Sequence, residues 1–268
     1  MSGGDSVFAG SIPALYDRYL GDMLFAPYAE HLANRVAAQR PKHVLEVAAG
    51  TGIVTRALHA ALPEAAIVAT DLNAGMLAHA ATRLSAPNVT WQQADAMSLP
   101  FGDGAFDLVV CQFGVMFFPD RPQAFRETRR VLVPGGRYVF TMWAPIEHSP
   151  LAEIVARAAA DGFPDDPPSF LSRTPYGHGD PAVTEAELRA AGFMHVDVAT
   201  VDVPSRAASA YDPAIGFCQG TPLRSEIESR DPVRLAAVTE SAARAVAARY
   251  GDGPIETTMR AFVFDART

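Results

Sequence analysis

The chain has 268 residues, 49% hydrophobic and 19% charged, with a formal net charge of −8. That composition excludes disordered and fibrous chains, and the acidic balance argues against general attraction to nucleic-acid phosphates or anionic lipid. The 2 cysteines, Cys111 and Cys218, are too few for a disulfide framework or a cysteine-based zinc site, so both are expected to be reduced. A chain of this length buries roughly 75% of its unfolded surface, which suits one large α/β domain or a core with a small cap.

The N-terminal segment has no basic start followed by an apolar run, and no stretch reaches the ~18 apolar residues of a membrane span. A cytoplasmic protein without a membrane span is therefore expected. Leu20, Met23, Leu24, Tyr28, Leu32 and Val36 recur at helical spacing, which predicts one or two helices over 17–39, stopped by Pro41. Short apolar runs then alternate with helical stretches. Strands are expected at 43–47, 66–70, 89–93, 106–111 and 137–143, and helices at 53–62, 73–84 and 122–132. The Pro134-Gly135-Gly136 sequence is expected to turn the chain just before the fifth strand. The arginines between 121 and 137 read as a solvated helix face.

Beyond Pro145 the character changes. The proline-rich segment 163–181 reads as a loop or lid, followed by a short helix at 185–191 stopped by Gly192. A strand at 195–203, a mostly helical stretch at 205–250 and a last strand at 257–265 complete the chain. The expected fold is α/β, a Rossmann-like doubly wound and mostly parallel seven-stranded sheet with helices on both faces and a small helical cap. Its expected division is an N-terminal helical cap segment (1–40), a cofactor-binding core (41–145) and a lid insertion (146–182). A core helix and strand (183–204), a helical cap (205–255) and the last core strand (256–268) follow.

Chemistry concentrates at the strand ends. Gly50 and Gly52 follow the first strand and open a helix, so backbone and helix N–H groups can approach a ligand closely; a tight strand-to-helix turn is the structural alternative. Asp71 ends the second strand, where a carboxylate can accept from both ribose hydroxyls, or can simply cap the next helix. Asp95 follows the third strand, placed to accept an adenine amine with Met97 packed on the ring, or else to fold a turn. Glu46 decides between ligands: a carboxylate beside a pyrophosphate would repel it, and the third glycine of a dinucleotide turn is replaced by Thr55. A cationic amino-acid group without phosphates fits better, which describes S-adenosylmethionine.

Five segments in order, VLEVAAGTG (44–52), IVATDLN (67–73), QQADAMSLPF (92–101), FDLVVCQFGVMFF (106–118) and RVLVPGGRYVF (130–140), resemble class I S-adenosylmethionine-dependent methyltransferases. Within that family the likeness is to the small-molecule group that includes the ubiquinone and menaquinone enzymes. The resemblance implies that Glu46, Ala48, Gly50, Thr51 and Gly52 hold the methionine part and Asp71 the ribose, with Leu72 and Met76 also among the cofactor-binding residues. It assigns Asp95, Ala96 and Met97 to the adenine, and Cys111 and Gln112 to the methionine end and the acceptor. Ala48 departs from the family, which commonly has glycine there.

The implied reaction moves a methyl group to an O, N or C nucleophile of a small, apolar or aromatic acceptor and leaves S-adenosylhomocysteine, with no metal. Nucleic acid is a disfavoured partner, and no oligomeric state is implied. His148, His178, Asp212 and Glu226 are the available bases in the cap segments, and Tyr16, Tyr19, Phe25 and Tyr28 are candidate lid aromatics. The alternatives are a non-catalytic protein binding the same cofactor, another chemistry on it, and an NAD(P)-dependent oxidoreductase. The last is disfavoured by Glu46 and by the lack of a Tyr-x-x-x-Lys pair, Lys42 being the sole lysine.

Overall fold

A computed structural model describes residues 10–268; positions 1–9 of the expected N-terminal segment lie outside the described residues. The chain opens with α1 (Ile12–Leu15), a π-helical stretch (Tyr16–Phe25) and α2 (Ala26–Ala37). In the π-helical stretch the Ala26 N–H donates five residues back to Gly21. Pro27, with no N–H to donate and a ring that crowds the preceding turn, follows directly on this widened helix.

The strands are β1 (His43–Val47), β2 (Ala66–Asp71), β3 (Val89–Gln93), β4 (Phe106–Gln112), β5 (Leu132–Trp143), β6 (His195–Ala207) and β7 (Ile255–Arg267). Helices α3 (Ile53–Ala61), α4 (Ala74–Arg83) and α5 (Arg121–Val131) connect the first five. The single sheet has the order β3-β2-β1-β4-β5-β7-β6, with β1 parallel to β2 and β4, β2 parallel to β3, and β4 parallel to β5. The chain winds outward from β1 to β3, then returns to the other side of β1 at β4. That reversal opens a crevice at the carboxyl ends of β1 and β4, where ligands of open α/β sheets bind.

Alternation along each strand sorts the side chains onto two faces. Val44 of β1, Leu108 and Val110 of β4, Val139 of β5 and Val263 of β7 are buried with Leu32 and Val36 of α2 and Val54 and Leu58 of α3. The opposite face is aromatic: Tyr138 stacks on Phe140 at 4.6 Å between centroids, and Phe140 on Phe264 at the same separation. Phe125 of α5 and Phe193 pack against these rings. Glu46 falls in alternation with Val44, so its carboxylate is directed toward α3.

The chain forms two compact units. One comprises Tyr28–Met142, Asp180–Val201 and Ala261–Thr268. The other comprises the described residues up to Pro27 with Trp143–Gly179 and Asp202–Arg260, and holds α6 (Pro150–Asp161), α7 (Phe170–Arg173), α9 (Tyr211–Gln219), α10 (Leu223–Arg230) and α11 (Leu235–Tyr250). In it α11 packs on both α6 and α9.

Three features differ from the sequence reading. Residues 150–161, given no element there, form α6, begun by Pro150 at the first helical position, where a missing N–H costs nothing. The proline-rich segment contains α7 and leads into α8 (Pro181–Ala190), whose first turn is capped by the Asp180 carboxylate accepting the Ala182 N–H at 2.9 Å. β5 starts at Leu132, and the Pro134-Gly135-Gly136 sequence is an irregularity inside it: Leu132 pairs with Phe106 and Arg137 with Leu108. Gly135, at φ +76°, supplies the left-handed residue that such a bulge requires.

One buried ion cluster fastens the last strand. Asp265, 4% exposed, accepts both Nε and Nη2 of Arg137, and Arg35 of α2 stands 3.4 Å away. Removing the shared anion leaves two cations without compensation. Asp265→Ala is expected to lower unfolding free energy by about 3 kcal/mol, and more than Arg35→Ala, in urea denaturation.

Candidate functional site

The loop between β1 and α3 carries three residues in left-handed backbone, Ala48 (φ +56°), Gly50 (φ +56°) and Gly52 (φ +76°). Ala49 N–H donates to Thr70 O at 2.8 Å and Gly52 N–H to Ala49 O at 2.9 Å, which fixes the loop above the sheet. Gly52 is obligatory, because a Cβ there would stand 2.7 Å from the Trp91 ring and 3.1 Å from Ala80.

Ala48 has no glycine's freedom, yet holds a conformation that costs an L-residue roughly 1–2 kcal/mol. Its methyl is accommodated because residue 114, after β4, is glycine: a Cβ there would come within 2.5 Å of the Ala48 Cβ and 2.7 Å of Cys111 Sγ. The departure at 48 is thus met by a small residue across the crevice.

Glu46 is 1% exposed. Thr55 of α3 donates its hydroxyl to Glu46 Oε2 at 2.6 Å, and Thr70 donates to the Glu46 carbonyl at 2.8 Å. Burial pushes the carboxyl pKa up to about 8, Thr55 opposes the shift, the negative Asp71 adds to it and Arg56 opposes it. The position where a dinucleotide turn has its third glycine therefore carries the hydroxyl that holds Glu46.

Asp71 closes the other side. Its Oδ2 accepts the Gly50 N–H at 2.8 Å and its Oδ1 the Asn73 N–H at 2.8 Å. Burial raises its pKa, against the lowering effect of these backbone donors. The cap residue of α4 is Asn73, so Asp71 ties the glycine loop to the end of β2 rather than capping the helix. Leu72 beside it is 53% exposed while Met76 is buried, with its Cε 3.8 Å from where a Gly50 Cβ would lie.

Asp95 lies after β3, and its Oδ1 accepts the Met97 N–H at 2.9 Å, an Asx turn that orients Ala96 and Met97. Cys111 is fully buried, with its thiol pKa pushed up to about 12 by burial; it packs inward near Tyr138 and presents only backbone at the strand end. Gln112, in alternation with Val110, is half-buried at the carboxyl end of β4. Glu46, the 48–52 loop, Asp71, Asp95, Cys111 and Gln112 thus come from four adjacent strand ends.

Thr70 and Gly114 were not singled out from the sequence, and Thr55 was noted only as a missing glycine. The signal for Thr55 was a β-branched hydroxyl nine residues after a strand glutamate; Gly114 carried none. The bases considered in the cap differ in availability. Asp212 accepts Ala208 and Ser209 N–H groups, and Glu226 accepts the Ser169 and Phe170 N–H groups and pairs with Arg173 at 2.8 Å. Both are occupied in folding their loops, whereas His148 is exposed.

Residues 44–136 match the family model described as a methyltransferase domain. Over those residues the chain is similar to that domain. Over 107 residues it is 42% identical to the demethylmenaquinone methyltransferase of Thermus thermophilus, covering 39% of this chain and 49% of that protein. Over 204 residues it is 28% identical to a ubiquinone/menaquinone biosynthesis C-methyltransferase of Shewanella frigidimarina, covering 70% of this chain and 81% of that one. The chain spans about half the length of the first of these curated relatives. A solved phosphoethanolamine N-methyltransferase of Haemonchus contortus, in complex with phosphomonomethylethanolamine and S-adenosylhomocysteine, shares the fold at a TM-score of 0.60 and 17% identity, covering 96% of this chain and 56% of that one. Among the described residues no helix is long and apolar enough to cross a membrane.

Two outcomes follow. Ala48→Gly should stabilise the protein by about 1 kcal/mol by relieving the left-handed strain, and Gly114→Ala should destabilise it. The cost of G114A should be smaller in the A48G background, a coupling that a double-mutant cycle in urea detects. Glu46 holds its proton to about pH 8 in the native state, against an ordinary value of 4.5. The native state therefore binds the extra proton between those values, and stability falls as pH rises through that window. Glu46→Gln should match wild type in melting temperature at pH 5 and exceed it at pH 9.

Proposed function

We propose that the protein is an S-adenosylmethionine-dependent methyltransferase that moves the methyl group to an O, N or C nucleophile of a small apolar or aromatic molecule. The observation that carries this reading is the pair of buried carboxylates, Glu46 and Asp71, flanking a left-handed glycine loop at the switch point of the sheet. A buried carboxyl with a raised pKa is completed by a cation, and the ammonium and sulfonium of this cofactor supply positive charge. The loop also lacks the third glycine of a dinucleotide turn, the position being Thr55, which disfavours NAD(P).

In this reading Glu46 and the backbone of Ala48, Gly50, Thr51 and Gly52 hold the methionine portion. Asp71, its oxygens already oriented by Gly50 and Asn73, accepts from the ribose, beside Leu72 and Met76. Asp95 accepts the adenine amine and orients Ala96 and Met97 along the ring, while the ends of Cys111 and Gln112 border the methionine end and the acceptor. The cofactor supplies a methyl group already activated by its sulfonium. The protein's own task is to position the nucleophile in line with it and to exclude water. The names of the quinone-methylating relatives support a small aromatic acceptor.

Titration calorimetry tests the reading. S-adenosylhomocysteine should bind at micromolar strength and NADH not at all; the reverse would refute the proposal. Asp71→Ala and Glu46→Gln should each weaken S-adenosylhomocysteine binding by about 2 kcal/mol through loss of charge-assisted hydrogen bonds. Unchanged affinity in D71A would leave Asp71 with its loop-bracing role alone.

A further inference from the structure

The segment between β3 and β4 carries Asp95, Ala96 and Met97 and is irregular apart from an isolated bridge between Asp95 and Ser98. A backbone outside the sheet ladder needs other partners for its N–H and C=O groups, and helix α5 supplies them. Gln123, Glu127 and Arg130 stand at i, i+4 and i+7, on one face of that helix, while Ala124, Phe125, Thr128 and Val131 are buried. Gln123 donates from Nε2 to the Met97 carbonyl at 3.2 Å, and Glu127 Oε2 accepts the Leu99 N–H at 2.9 Å.

Arg130 completes the set. Its Nη2 donates to the Leu99 carbonyl at 3.0 Å and its Nη1 to the Phe101 carbonyl at 2.7 Å. Its other N–H groups go to Asp103 Oδ1 and, from Nε and Nη2, to the two oxygens of Glu127, so the whole donor fork is in use. Hydrogen bonds from Arg130 hold the Glu127 carboxyl below the ordinary range, which keeps it an acceptor for Leu99. Met97 is fixed at both of its backbone polar atoms, because Asp95 Oδ1 takes its N–H at 2.9 Å and Gln123 its carbonyl.

We propose that Gln123, Glu127 and Arg130 are positioning residues for the adenine end of the cofactor site, a clamp that sets how strictly Asp95 selects an amino group over a carbonyl on the purine ring. The inference rests on the reading of Asp95 as the acceptor of the adenine amine. A carboxylate held in place accepts from an amine and opposes a carbonyl oxygen, whereas one on a loose loop turns away from the oxygen and tolerates both. Base selection therefore depends on side chains that act through the loop.

Titration calorimetry of the full chain with S-adenosylhomocysteine and with S-inosylhomocysteine, which carries a carbonyl in place of the amine, tests the clamp. The wild type should prefer the adenosyl compound by about tenfold. Gln123→Glu keeps the side-chain length and an oxygen for Arg126 but removes the donor to Met97; Arg130→Lys keeps the charge and removes the fork. Each should lower the preference severalfold, and amide hydrogen exchange at Leu99 should quicken in R130K. Q123E lies in the first turn of α5, where a negative charge is favourable, and decides the matter if R130K fails to fold. Arg129→Ala is the control: Arg129 lies on the same helix but donates to the Gly192 carbonyl at 2.9 Å, so R129A should keep the wild-type preference even where it lowers the melting temperature. An unchanged preference in Q123E or in folded R130K would overturn the clamp, as would an equal fall in R129A. Wild type that binds both compounds equally would overturn the clamp and the role of Asp95 while leaving the methyltransferase reading in place; wild type that binds neither would refute that reading and the clamp with it.

Discussion

A carboxylate buried in the first strand governs the design of the site. Glu46 sits where alternation along β1 directs its side chain into a layer otherwise made of valine and leucine, beneath α3. An isolated charge in such a place is strongly disfavoured, and the neighbouring residues answer that problem. Thr55 gives it a hydroxyl, Thr70 ties its backbone, and Arg56 offsets its charge. Asp71, placed nearby, works against its ionisation. Burial thus favours the protonated form of this carboxyl.

The backbone around that carboxylate is strained in a coordinated way. Three left-handed residues within five positions raise the N–H groups of the loop above the strand end, and two of them are glycines. The third is Ala48, tolerated because Gly114 leaves space for its methyl. Asp71 then clamps the raised loop through Gly50. Asp71 at the end of β2 and Gly114 just beyond β4 therefore support a loop that the sequence marks only by its own glycines.

The other unit uses its polar groups differently. Asp212 and Glu226 spend their oxygens on backbone N–H groups that shape loops.

Much of the fold was legible because hydrophobic periodicity is local. The alternating runs at β1 to β4, the helices between them and the acidic residues at strand ends were fixed by spacing a few residues long, and their order implied the parallel sheet. Segments whose structure depends on distant partners were not legible. Pro134-Gly135-Gly136 reads as a turn, but pairing with β4 makes it a bulge within a strand. In α6, by contrast, the buried Leu151, Val155 and Ala158 stand at helical spacing, a local signal, on a helix that packs against α11. The sequence by itself determined the α/β class and the position of the acidic glycine loop. Only the tertiary structure decided which groups pair with those acids and that position 48 depends on position 114. Those outcomes depend on contacts between residues far apart in the chain, which local spacing does not encode.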